Sequence, residues 1–352
     1  MRAAILATLL ALATFGTGAA KPAPNVFDRK DWIGVCDNVL RCTAMGLAPD
    51  GQDRAYIALV RDGGGAAVAT LKVVVYSDDA LPGGPVKLHA PGFDLTLQGR
   101  WTDDQITAET KDPAAVAAFA RLAASDAKTV QVSTGRISAP LSLDGAAATL
   151  AWADDRQGRA GGVTALLKKG PKSAAAVPAP PPVPVYAPAP AGSAAEVKPA
   201  TFPKGLTGRP ELRDCDHDQM DQADERGAWR LGPNVMLWSV PCRLGAYNLD
   251  SYFFLGDARG GAIRPAPIPF IATPDAETPE ADPPFSLLNA NFDPKTMILD
   301  AFEKARGLGD CGRLDRFLWD GKAFQPIEID YMPECRGVTP EAWPALYRGR
   351  TK

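Results

Sequence analysis

Arg316-Phe-Leu-Trp-Asp-Gly-Lys-Ala-Phe324 is the stretch that decides the fold class. Aromatic residues flank Asp320-Gly321, and such a pair predicts a two-residue hairpin turn, because both central positions of the favoured turn take positive φ. Strand composition recurs on the N-terminal side of this hairpin at Val235–Val240, Ser251–Leu255, Phe285–Phe292 and Thr296–Phe302, with a turn expected at Asn291-Phe-Asp-Pro-Lys295. Further upstream, Ala55–Val60 and Ala67–Tyr76 flank the turn signal Asp62-Gly-Gly-Gly65, and Phe93–Leu97 alternates with period two. Val163–Lys168 reads as a closing strand. Two helices interrupt the pattern. Asp112-Pro113 supplies a cap and a first residue for one that carries Val116, Phe119 and Leu122 at helical spacing, and Gly145–Asp155 reads as the other. The fold class is therefore mainly β with some helix (α+β).

A chain of 352 residues is long enough for two domains. The boundary is marked by Val177-Pro-Ala-Pro-Pro-Pro-Val-Pro-Val-Tyr-Ala-Pro-Ala-Pro190. Proline fixes φ and has no N–H, so this stretch favours extended polyproline geometry. It reads as a Pro/Ala-rich spacer over residues 171–203, with a groove-binding ligand as the sharper alternative. The expected architecture is a β-sandwich-like domain with two helices at residues 21–170, then a strand-rich, disulfide-stapled domain at residues 204–352.

Residues 1–20 have the tripartite form of a secretory signal. Met1-Arg2 is followed by an apolar run from Ala3 to Phe15 and by small residues ending at Ala20. No later apolar run approaches the length of a membrane span. The formal charge is −3, with 41 acids against 38 bases, which excludes a strongly basic nucleic-acid binder. The expected location is periplasmic or secreted, and the expected partner an envelope protein or cell-wall component.

Cysteines pair in the oxidising compartment that export implies. Six of them allow 15 connectivities. If no bridge crosses the proline segment, Cys36 pairs with Cys42 and three arrangements remain for Cys215, Cys242, Cys311 and Cys335. Pairing of chain neighbours, Cys215 with Cys242 and Cys311 with Cys335, is favoured. The absence of any Cys-x-x-Cys argues against redox exchange or zinc.

Chemistry-bearing motifs are sparse. Asp214, Asp216 and Asp218 stand at positions 1, 3 and 5 of a calcium-loop spacing with Glu225 at position 12. Gln219 occupies the position where the sharp turn wants glycine, so a solvated acidic segment is the competing reading. The two histidines, His89 and His217, carry no catalytic pattern. Nucleophile-elbow, zinc-protease, phosphate-loop and dinucleotide signatures are all missing, so no catalytic residue and no cofactor is assigned. Asp103-Asp104 and Asp154-Asp155 are adjacent pairs that point apart. Glycine-rich Arg306–Gly312 suits either an anion cradle or a tight connection pinned by its cysteine, and Trp229, Trp238, Trp319 and Trp343 suit either a sugar-binding face or a core.

Five motifs run along the chain: Trp32-x3-Cys36-Asp-Asn38 with Cys42, Asp154-Asp-Arg-Gln-Gly-Arg159 leading to Thr164-Ala-Leu166, Pro241-Cys-Arg-Leu-Gly-Ala-Tyr-Asn248, Gly307-Leu-Gly-Asp-Cys-Gly312 and Cys335-Arg-Gly337. Together they resemble an uncharacterised six-cysteine bacterial envelope family, the domain of unknown function numbered eleven-seventy-six. The resemblance implies an exported protein and carries no activity with it. The resulting expectation is a non-catalytic binding or envelope-maintenance factor. The alternatives are a hydrolase-type enzyme using Asp/Glu, or a calcium- or sugar-binding module.

Overall fold

The computed structural model describes residues 25–49, 55–77, 83–102, 104–190, 194–198, 201–274 and 283–352. The export signal expected at residues 1–20 lies outside the described residues, as does Asp103. The protein is mainly β.

The first half contributes β1 (Val26–Arg29), β2 (Trp32–Cys36), β3 (Cys42–Leu47), β4 (Ala55–Arg61), β5 (Thr70–Tyr76), β6 (Pro85–Ala90), β7 (Phe93–Thr102), β8 (Gln105–Thr110), α1 (Pro113–Ala123), β9 (Thr129–Thr134), β10 (Ile137–Ser142) and α2 (Ala146–Arg156). The ten strands form one sheet in the order β1-β2-β3-β4-β5-β8-β7-β6-β9-β10. β7 makes the continuity, because Phe93–Gln98 pair with β6 while Gly99–Thr102 pair with β8. β10 comes back against β3 and β4, so the two layers of the sandwich are leaves of one folded sheet. Between them lie Trp32, Ile57, Val73, Leu88, Val132 and Leu141, with Phe119 of α1 and Leu150 of α2 closing the interior. Each such fully buried large side chain contributes about 1.5–3 kcal/mol.

Both helices begin as their sequences dictate. Asp112 caps α1 by accepting from the Ala114 N–H at 3.0 Å, with Pro113 in the first turn. At the start of α2, Gly145 takes φ +102°, and a Cβ there would lie 2.0 Å from the Arg29 carbonyl oxygen. The segment read as a closing strand, Val163–Lys168, forms turns instead. The backbone N–H groups of Leu166 and Leu167 donate to the Asp154 carboxylate at 2.7 and 3.1 Å, and a side-chain acceptor has replaced a sheet neighbour.

The second half contains β11 (Val185–Tyr186), β12 (Ala195–Glu196), α3 (His217–Met220), β13 (Gly227–Gly232), β14 (Val235–Leu244), β15 (Leu249–Gly256), β16 (Arg264–Pro265), β17 (Ser286–Leu288), β18 (Asn291–Asp293), β19 (Ile298–Lys304), β20 (Gly312–Trp319), β21 (Phe324–Met332), β22 (Ala345–Arg348) and β23 (Arg350–Thr351). One sheet runs β12-β13-β14-β15-β16 with β17 also on β15, and a second runs β18-β19-β20-β21-β22. Leu237, Phe253 and Leu255 of the first belong to one cluster with Leu299, Phe317 and Ile329 of the second.

The β20–β21 hairpin closes differently from the two-residue expectation. Trp319 pairs with Phe324, leaving Asp320–Ala323 as the loop. Asp320 Oδ1 accepts from the Lys322 and Ala323 N–H groups at 2.8 and 2.9 Å, and Gly321 takes φ +97°. The aspartate side chain thus organises a longer turn.

The two halves are joined by a buried cluster drawn from both. Ile33, Met45, Leu47, Tyr56 and Val74 pack with Cys311, Met332, Val338 and Trp343. Strand β2 is consequently buried at all five residues, on both faces. The proline segment lies along both halves. Pro178 and Pro180 pack beside Gly158 and Gly63, while Val185–Tyr186 pair parallel to Arg350–Thr351. No helix among the described residues is long and apolar enough to cross a membrane.

Candidate functional site

A cavity with converging polar groups lies between the two sheets of the second half. Its volume is about 170 Å³. Strands β15 and β17 bring Asp250 and Ser286 to one side, and β19 and β20 bring Glu303, Arg313 and Asp315 to the other. Ile268–Ile271, Pro283 and Pro284 supply apolar walls.

The register explains the grouping. Glu303 stands opposite Arg313, and Ala301 opposite Asp315, so the charged side chains share the face that looks toward β15. Arg313 Nε lies 2.8 Å from both Asp315 oxygens, and its Nη1 donates to the Ile271 carbonyl at 2.8 Å. Ser286 Oγ donates to Asp250 Oδ1 at 2.6 Å. Three carboxylates and one guanidinium therefore line the cleft, giving it an acidic balance. Beyond Asp315, burial together with Glu328 pushes the Asp330 carboxyl up to about 7, with Asp315 adding to the effect.

All six cysteines are bridged as Cys36–Cys42, Cys215–Cys242 and Cys311–Cys335. The acidic segment folds into two short helical turns. Asp216 caps α3 by accepting from the Asp218 N–H at 2.9 Å, while Asp214, Asp218 and Glu225 are exposed. Among the described residues no three His, Cys, Asp or Glu side chains come together to hold a metal. His89 makes an exposed pair with Asp94 at 2.7 Å. Trp229, Trp238, Trp319 and Trp343 are all buried. The Arg306–Gly312 loop is a tight connection: Arg306 clasps Asp310, whose Oδ2 also accepts from the Gly337 N–H at 2.7 Å.

The sequence carries no signature of the cleft, because Asp250, Ser286, Glu303 and Asp315 come from four strands. Its recognisable motifs turn out to be fasteners. Asp37 Oδ2 accepts from Arg348 Nε at 2.6 Å, and Asn38 exchanges two hydrogen bonds with the Arg348 backbone at 2.7 and 3.0 Å. Arg336 reaches from the second half to Asp31 and to the Ala48 carbonyl. Within the second half, Asn248 ties its hairpin to the Lys304 carbonyl at 2.8 Å and Tyr247 donates to Ala305 at 2.9 Å. Asp154 and Gln157 both hold Arg61, which leaves Asp155 to solvent.

Comparison with known proteins covers most of the chain. An uncharacterized protein of Escherichia coli (strain K12), YpfG, is 29% identical over 345 residues, covering 93% of each chain. No solved structure matches. The profile of one family, described as a protein of unknown function (DUF1176), matches residues 26–350, and the chain belongs to that family.

Proposed function

We propose that this protein is an exported envelope factor that binds its ligand without transforming it. The ligand would be amine-bearing and partly apolar, such as a basic segment of an envelope protein or a cell-wall peptide. The observation that carries this reading is the state of the cleft's charged groups. Asp315 is held by Arg313 and Asp250 by Ser286, an arrangement suited to fixed electrostatic recognition. Apolar walls beside an acidic floor suit a cation on a hydrocarbon stem. The three disulfides fit an oxidising destination.

The rival reading, a hydrolase using Asp/Glu, draws on the same convergence of carboxylates. Capture separates the two. The chain from Lys21 onward, immobilised, is challenged with envelope extract and with peptidoglycan, beside a D250N/E303Q double variant. The binding reading expects salt-sensitive capture by the wild type and at least a several-fold loss in the variant. Equal capture by both proteins defeats it. Turnover of a glycoside or peptide panel that disappears in the variant favours the hydrolase.

A further inference from the structure

The first half holds a second polar site with the opposite imbalance. Arg61 and Arg159 are both buried, at 5% and 0% exposure, with Asp154 as the carboxylate beside them. Asp154 is fully committed: Oδ1 to Arg61 Nη2 at 2.5 Å, Oδ2 to the Leu166 and Leu167 N–H groups. Arg61 uses three of its five N–H donors, donating also to Gln157 Oε1 at 2.7 Å and to the Thr164 carbonyl at 3.1 Å. Arg159 is left over. Its Nη2 donates to the carbonyls of Gly64 and Ala67, and its Nε and Nη1 have no partner. Burial and the nearby Arg61 pull its pKa down to about 10, so it is still a cation at neutral pH. A buried cation with open donors and no anion of its own is costly, and structures normally satisfy such groups.

A cavity of about 180 Å³ opens beside this network. Arg61, Ala67 and Thr164 are among its walls, with Arg159 behind them, Lys111 and Lys169 are exposed at its rim, and no acidic side chain lines it. Behind the wall, Thr164 Oγ1 is buried without a partner. Val116 and Leu166 make the rest of the lining largely apolar.

We propose that this cavity binds a compact anion, a carboxylate or an oxyanion, which Arg61, Thr164, Lys111 and Lys169 receive and which supplies the negative charge that the Arg61–Arg159 pair lacks. The apolar lining favours a short organic carboxylate over phosphate, and the two probes distinguish them.

The test uses the chain from Lys21 onward in buffers of matched ionic strength. Sodium butyrate and sodium phosphate are titrated calorimetrically and by thermal unfolding, against sodium chloride. The expected result is saturable binding at or below the millimolar range and a Tm that rises with anion concentration, as linkage requires. A K111M/K169M double variant, altered only at exposed positions, should unfold at the wild-type Tm in chloride and bind about tenfold more weakly. R159M should lose the anion-dependent rise in Tm while staying at least as stable as wild type in chloride. The proposal fails if Tm follows ionic strength regardless of the anion, if neither probe binds up to about 10 mM, or if the lysine variant binds as tightly as wild type.

Discussion

The two halves of this protein each hold a charged cluster, and the two differ in sign and in burial. In the first, Arg61 and Arg159 lie beside Asp154; in the second, Arg313 holds Asp315, with Asp250 and Glu303 lining the same cleft. The first cluster is buried, with Arg159 at 0% exposure and Arg61 at the wall of a cavity, while the second faces a cleft between sheets. Desolvation differs accordingly. A buried charge has little water to fall back on, so its partner matters far more than the partner of a charge at a cleft wall.

The sharpest way to break this comparison is to remove the acid from each cluster. D154A leaves Arg61 and Arg159 both uncompensated and should cost about 3–5 kcal/mol, read as a lower denaturant midpoint at unchanged slope. D315A leaves Arg313 with the Ile271 carbonyl and the cleft, and should cost about 2 kcal/mol. Equal losses would mean that the two sites are equally dry, which would overturn the contrast.

The staples give the next largest effect. Cys215–Cys242 closes a separation of 27 residues and Cys36–Cys42 one of 6. On loop entropy, C215S/C242S should lose about 3.5 kcal/mol and C36S/C42S about 2.3. Oxidised unfolding curves of the two double variants check the order. The reverse order would show that the short bridge does more than close a loop, as its place beside Asp37 and Asn38 at the junction with Arg348 allows.

What was legible in the sequence divides along the same line. Local chemistry could be read: the Asp112-Pro113 start of α1, the strand runs, and chain-neighbour pairing of the cysteines once the proline segment had separated two from four. Tertiary substitution could not. Val163–Lys168 has strand composition, yet the Leu166 and Leu167 N–H groups go to Asp154. Asp154-Asp155 read as an adjacent pair that points apart, and Asp154 anchors a buried network. Arg159 gave no sign of burial, since burial of an arginine depends on which loops close over it. Glu303 and Asp250 are far apart in the chain and meet only through sheet packing.

pH separates the clusters more gently. Asp330, raised to about 7, favours its neutral form in the folded state. Its charged form is therefore penalised above about 7, and stability is regained as pH falls below 7 toward the ordinary carboxyl range. Burial raises Asp28 and Glu334 at the junction in the same direction. Arg159, lowered to about 10, is relieved only as pH rises through 10, so it contributes no slope near neutrality. Moving from pH 8 to 6 should raise Tm by on the order of 1 °C, and D330N should flatten that rise while R159M leaves it intact.

The smallest effects belong to charge pairs that both halves leave in water. Arg316 bridges Asp300 and Glu328 at 2.9 and 3.1 Å across three strands, yet all three side chains are nearly half exposed. His89 and Asp94 are more open still. Such pairs are screened by solvent and salt, and holding long side chains in place offsets much of the attraction. R316A should cost under about 1 kcal/mol, more than H89A, because the arginine serves two carboxylates at once. Both differences should shrink toward zero as salt rises from about 0.05 M to about 1 M. The D154A loss should persist over the same range of sodium chloride, because Asp154 and Arg159 are buried and bulk screening weakens buried pairs much less than exposed ones. If D154A proved as salt-sensitive as R316A, the first-half cluster would be solvated, and the contrast between the two halves would fail at its root.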